Sequence, residues 1–167
     1  QYMALKTEID AGINEVINNT SFILGKQVSE LEEKLADYVG RKHCIGVANG
    51  TDALQLALMI LGVGPGDAVF TSDFTYFASA GSASILGATP VMVDIDLATF
   101  NISPTALEDA IRRVLVEGKL NPKVIVPVDL FGLPANYPEI EKIAEKYGLK
   151  ILEDGAQGFG GNINGKR

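Results

Sequence analysis

At 167 residues, with 47% hydrophobic and 21% charged side chains, the chain has room for one domain with its own core and lies far from the composition of disordered polypeptides. A net charge of −7 excludes the Lys/Arg-rich face that nucleic acid or an anionic membrane surface requires. No apolar run approaches the roughly 18 to 20 residues of a bilayer span. The single cysteine, Cys44, has no internal disulfide partner, and the N-terminus lacks a signal-peptide pattern, so a cytoplasmic protein is expected. Gln1 stands without an initiator Met just ahead of a helical pattern, and Arg167 follows a Gly-rich stretch with no closing element, which reads as a fragment of a longer protein.

Leu5, Ile9, Ile13, Val16 and Ile17 recur at spacings of three and four and predict a helix that stops at Asn18-Asn19-Thr20-Ser21. Val28, Leu31, Leu35 and Val39 predict a second, with Gly40 at its left-handed end. From residue 43 the pattern becomes short apolar runs alternating with helices, the mark of parallel βα units. The strand candidates are Cys44 to Ala48, Ala68 to Thr71, Pro90 to Asp94, Val124 to Val128 and Lys150 to Glu153. Between them lie helices at Ala53 to Leu61, Ala78 to Leu86, Pro104 to Glu117 with Ser103 as N-cap, and Pro138 to Tyr147 closed by Gly148. Right-handed crossovers then give an α/β fold with one mostly parallel sheet.

Ligands of such sheets bind outside the carboxyl ends of the strands, so the residues just after each strand are the candidates for function. Asn49-Gly50-Thr51-Asp52 leads into an apolar helix. Its backbone N–H groups, the helix dipole and the Thr51 hydroxyl suit a phosphate, and the same residue types also serve as ordinary N-caps. Tyr76, after the second strand, either offers an aromatic face to a planar ring or packs in the core with Phe74 and Phe77. Asp154, at the end of Ile151-Leu152-Glu153-Asp154, either pairs with a positive ring nitrogen or makes a turn. His43 precedes the first strand on the opposite edge. With one His and one Cys, a His/Cys zinc site and Ser-His-Asp catalysis both fall away.

Taken together, a phosphate-type turn, an aromatic after the second strand and an Asp with a nearby Gln after the last resemble pyridoxal-phosphate enzymes of the aspartate-aminotransferase fold. More narrowly, Gln1-Tyr2, Phe22-Ile23-Leu24-Gly25, Asn49-Gly50-Thr51-Asp52-Ala53-Leu54, Phe74-Thr75-Tyr76, Pro90-Val91-Met92-Val93-Asp94 and Glu153-Asp154-Gly155-Ala156-Gln157 are similar, in order along nearly the whole chain, to the DegT/DnrJ/EryC1/StrS sugar aminotransferases. The resemblance implies that Gly50, Thr51 and Asp52 hold the phosphate of pyridoxal 5′-phosphate and that Tyr76 stacks on its ring. It also implies that Asp154 pairs with the protonated ring nitrogen, as the catalytic residue within this chain, and that Gln157 lies near the ring oxygen.

The family's Schiff-base lysine lies beyond the Gly-rich stretch, so none of this chain's lysines, Lys166 included, is expected to fill that role. Asp129 stands where many members carry His, and its role is left open. The division implied is a helical segment at 1–42 and, at 43–167, part of the cofactor-binding large domain, incomplete at its C-terminus. In the whole family fold further strands lie between the last strand candidate and the first, so Cys44 to Ala48 would be left with an unpaired edge. The implied activity is transfer of an amino group from a donor such as glutamate to a nucleotide-linked keto-sugar, in a homodimer. A sugar dehydratase of the same family and a non-catalytic cofactor-binding or regulatory module are the alternatives.

Overall fold

The computed structural model describes residues 1–165 and divides into two compact units, Gln1–Gly46 and Val47–Arg167. In the first, α1 (Tyr2–Asn18) and α2 (Lys26–Tyr38) form where the apolar spacing predicts helices. The Gly46 N–H donates to Glu32 Oε1 at 2.6 Å, tying the segment after α2 back to that helix. The strand expected at Cys44 to Ala48 is not formed. Residues 43 to 47 are irregular and Ile45 is 79% exposed. An apolar run supplies only a tendency toward strand; hydrogen-bonded neighbours make one, and among the described residues no strand pairs with this run.

The second unit opens with α3 (Gly50–Ile60) and then alternates β1 (Asp67–Ser72), α4 (Ala78–Ile85), β2 (Thr89–Val93), α5 (Pro104–Glu117), β3 (Asn121–Val126), α6 (Tyr137–Tyr147) and β4 (Lys150–Ile151). The strands form one parallel sheet in the order β2-β1-β3-β4. The expected α/β class and parallel sheet are therefore present. Local chemistry marks the helix ends. Ser103 Oγ accepts the Ala106 N–H at 3.3 Å ahead of Pro104, and Gly118 closes α5 at φ +63°, a conformation that disfavours side chains.

Helices cover both faces of the sheet, which is why β1 is buried along its whole length rather than alternating. In register, Phe70 lies beside Ile125 and Val69 beside Val124. Ala68, Phe70 and Ile125 point to a core with Leu107, Ile111 and Ile140 of α5 and α6. Val69, Val124 and Val126 point the other way, to Leu54, Leu58, Ala78 and Ala83 of α3 and α4. Each fully buried Phe or Ile there contributes about 1.5–3 kcal/mol relative to exposure.

At the amino edge of the sheet Asp67 is held by Lys123 Nζ and Asn121 Nδ2, each at 2.9 Å, and by the Gly64 N–H at 3.0 Å. At the carboxyl edge the β3–β4 ladder continues past the formal strand ends. Pro127 has no N–H, but its carbonyl accepts the Asp154 N–H at 2.9 Å, and the Asp129 N–H donates to the Asp154 carbonyl at 3.1 Å. These bonds bring Asp129 and Asp154 to one edge.

Candidate active site

Asp154 is only 9% exposed, and its two carboxylate oxygens have different partners. Oδ2 accepts the Ser79 hydroxyl at 2.7 Å, and Oδ1 the Ala156 N–H at 3.3 Å. The second contact is the turn role foreseen for an Asp here; the first is a charge-assisted bond that ties α4 to the end of β4 across 75 residues of sequence. Among the described residues no Lys, Arg or His pairs with Asp154. A buried carboxylate without a cation is costly, and a positive ligand group would offset that cost.

Asp129, 3% exposed, sits beside it in a different environment. Its Oδ1 accepts both the Ala135 N–H at 3.0 Å and the Tyr137 hydroxyl at 2.9 Å. Burial first, and then the Asp129 charge, hold the Tyr137 phenol far above its ordinary range, so it stays a neutral donor. Asn101 secures the same loop, donating to the Leu133 carbonyl at 2.9 Å and accepting the Leu130 N–H at 3.2 Å. A Cβ at Gly158 would lie 2.3 Å from Asp129 Cβ, so the chain after Asp154 passes Asp129 at a distance only glycine permits. The open role of Asp129 resolves as a structural one: it anchors the loop that follows β3.

Gln157 reaches that loop as well. Its Oε1 accepts the Phe131 N–H at 2.9 Å, which leaves the side-chain NH2, a pure donor, for a ligand oxygen. Tyr76 is 72% exposed, so the core-packing alternative is not what the fold adopts. Phe74 instead stacks with Phe100 and Phe131 at centroid separations of 5.7 and 6.4 Å, one ring from each of the loops after β1, β2 and β3.

At the start of α3, Asn49 Oδ1 accepts the Asp52 N–H and Asn49 Nδ2 donates to the Asp52 carboxylate, both at 2.9 Å. The capping reading of this turn is thus realised by Asn49 and Asp52. The N–H groups of Gly50 and Thr51 and the Thr51 hydroxyl meet no acceptor among the described residues, which leaves them for an anion at the positive end of the helix. Ser79 brings Asp154 into contact with the segment of Thr75 and Tyr76; no hydrogen bond links Gly50, Thr51 or Asp52 to Asp154 or Gln157 among the described residues. Lys166 lies outside the described residues.

Ser79 is the residue that the sequence did not single out. Its helix carries Ser79, Ser82 and Ser84 in an Ala/Ser-rich run, and only the tertiary structure selects the one that faces Asp154. Ser82 by contrast is buried with its hydroxyl unpaired.

A parallel α/β sheet with, among the described residues, a buried carboxylate lacking a cation at its carboxyl edge and a helix start with open N–H groups has the general arrangement in which α/β domains bind charged ligands. The chain belongs to the DegT/DnrJ/EryC1/StrS aminotransferase family, whose family model matches residues 3–167. It is 50% identical over 167 residues to a Pseudomonas aeruginosa protein named UDP-2-acetamido-2-deoxy-3-oxo-D-glucuronate aminotransferase, covering all of this chain and 45% of that protein. It is 46% identical over 166 residues to a Geobacillus stearothermophilus protein named pleiotropic regulatory protein, covering 99% of this chain and 43% of that one. The crystal structure of a family aminotransferase from Brucella abortus superposes with a TM-score of 0.93 at 48% identity, over 94% of this chain and 42% of the other. The chain therefore spans less than half the length of the relatives it matches.

Proposed function

We propose that this chain is the cofactor-holding part of a pyridoxal-phosphate-dependent aminotransferase that converts a nucleotide-linked keto-sugar to an amino-sugar with an amino-acid donor such as glutamate. The observation that carries the reading is Asp154, a buried carboxylate that has no cationic partner among the described residues, at the ligand edge of a parallel sheet. The residues fit the cofactor. Asp154 supplies the negative charge for a protonated ring nitrogen, and the Gly50 and Thr51 N–H groups with the Thr51 hydroxyl suit a phosphate. Asp52 holds that turn in shape through Asn49, exposed Tyr76 offers a ring face, and the Gln157 NH2 suits a ring oxygen. When bound, pyridoxal phosphate supplies an electron sink that eases loss of a proton from the substrate carbon.

The reading includes a lysine nucleophile outside these 167 residues, a helical segment at 1–42 and a partial large domain at 43–167, a homodimeric assembly and a cytoplasmic place of action. No helix among the described residues is long and apolar enough to cross a membrane. The second reading, a regulatory module that keeps the cofactor pocket, draws on the name carried by the Geobacillus relative.

One experiment separates them. The whole polypeptide that carries this chain is purified and its visible absorption recorded with and without borohydride. It is then incubated with glutamate and nucleotide-linked keto-sugars. Borohydride fixation of the cofactor together with amino-sugar and 2-oxoglutarate formation supports the enzyme. Cofactor absorption without turnover supports the regulatory module, and absence of the cofactor overturns both.

A further inference from the structure

Ser79 has a single hydroxyl proton, and it is donated to Asp154 Oδ2 at 2.7 Å. Thr75 Oγ1 lies 3.4 Å from Ser79 Oγ, so in that contact Thr75 is the donor and Ser79 the acceptor. The result is a directed chain, Thr75 to Ser79 to Asp154, in which each hydroxyl polarises the next. Ser79 is 1% exposed and flanked by buried Ala78, so its oxygen is fixed by the packing of α4 rather than by its own side-chain preference. Its other neighbours do not compete for the proton, since no further acceptor meets Ser79 Oγ among the described residues. Asp154 Oδ1, by comparison, has among the described residues the longer Ala156 N–H contact alone. The geometry of the carboxylate thus depends more on Ser79 than on the turn that follows it.

We propose that Ser79, backed by Thr75, is the positioning residue of this site: its hydroxyl orients the Asp154 carboxyl group toward the ring nitrogen of pyridoxal phosphate. The proposal rests on the cofactor reading above. Ser79 touches neither substrate nor cofactor in this role and acts through Asp154 alone.

The test uses the whole polypeptide, stripped of cofactor and titrated with pyridoxal phosphate, with visible absorption giving the Kd and the absorption maximum of the bound form. Ser79→Ala removes a bond to a charged group, and the Kd is expected to rise about 10-fold or more with a shifted maximum. Ser79→Thr keeps the hydroxyl and restores the wild-type maximum with a Kd within about 3-fold, while Thr75→Val weakens binding by about 2- to 3-fold. Thermal unfolding of each apoprotein identifies a variant that fails to fold, and Asp154→Asn is the control. If Asp154→Asn weakens binding while Ser79→Ala leaves Kd and maximum unchanged, or Ser79→Thr is as defective as Ser79→Ala, the positioning role is wrong and the cofactor reading stands. If the wild-type protein binds no pyridoxal phosphate, or Asp154→Asn changes nothing, both fall.

Discussion

Asp129 and Asp154 are both buried, lie at the same edge of the same sheet and are joined through the Asp129 N–H and the Asp154 carbonyl, yet their surroundings assign them opposite work. Asp129 has one oxygen doubly bonded, by Tyr137 and Ala135, and a glycine pressed against its side chain. Asp154 has a hydroxyl on one oxygen, a long backbone contact on the other and, among the described residues, no cation. A buried carboxylate satisfied by neutral donors within its own loop holds that loop together. One that the fold leaves short of positive charge is available to a ligand. Asp67, at the far edge, is the third case: a carboxylate already paired with Lys123.

The largest effect should fall on function at Asp154. In the whole protein, Asp154→Asn is expected to lower kcat/KM for amino transfer by about 100-fold or more, the scale of removing a preorganised charge from an active site, with little change in the unfolding midpoint. Equal loss from Asp129→Asn would erase the distinction, because that change keeps an oxygen for Tyr137 and Ala135.

Next in size is stability at Asp129. Asp129→Ala leaves a buried N–H and a half-buried hydroxyl without an acceptor and should cost about 2–4 kcal/mol in urea unfolding. A loss under about 1 kcal/mol would mean that the loop does not depend on it. Gly158→Ala places a methyl against the same side chain and should cost about 1–3 kcal/mol by the same measurement.

Tyr137→Phe should cost about 1–2 kcal/mol, and it also carries a pH signature. With its folded pKa raised, Tyr137 contributes stability that is fully present below the unfolded tyrosine value of 10.0 and is lost as pH rises beyond it. Unfolding free energies measured from pH 9 to 11 should therefore decline in the wild type and flatten in the variant.

The smallest effect belongs to Asp67. Burial works against its charge, but the bonds from Asn121, Lys123 and Gly64 prevail and hold its carboxyl below the ordinary 3.8. Its contribution is present above the unfolded value and lost as pH falls through the folded one; because Asn121 and the Gly64 N–H still bind the carboxylate and Lys123 is partly solvated, Lys123→Ala should remove about 1 kcal/mol of it near pH 7. A buried carboxylate that has its cation is thus expected to matter little beside one that lacks it.

The helices were legible from their spacing and caps, α5 most plainly, because Ser103, Pro104 and Gly118 act on their nearest neighbours in the chain. The buried strands β1 and β3 were legible as apolar runs for the same local reason. Cys44 to Ala48 has that composition and is not a strand, since pairing is decided by what lies alongside. At the site, Asp154 and Gln157 could be picked out by their place after a strand, but Ser79 could not. Nothing local distinguishes it from Ser82, three residues on, which has no hydrogen-bond partner.

What the amino-acid sequence determined by itself was therefore the helices and the four paired strands, the parallel α/β class, the family and the edge at which to look, because periodicity, capping and strand-end position are short-range properties. Only the tertiary structure decided that Asp129 is an anchor, that Asp154 has no cationic partner among the described residues, and that Ser79 bonds to the latter. Those roles depend on donors 6 to 75 residues away in the chain, and hydrogen bonds at 2.7 to 3.0 Å exist only once the sheet and helices have brought the partners together.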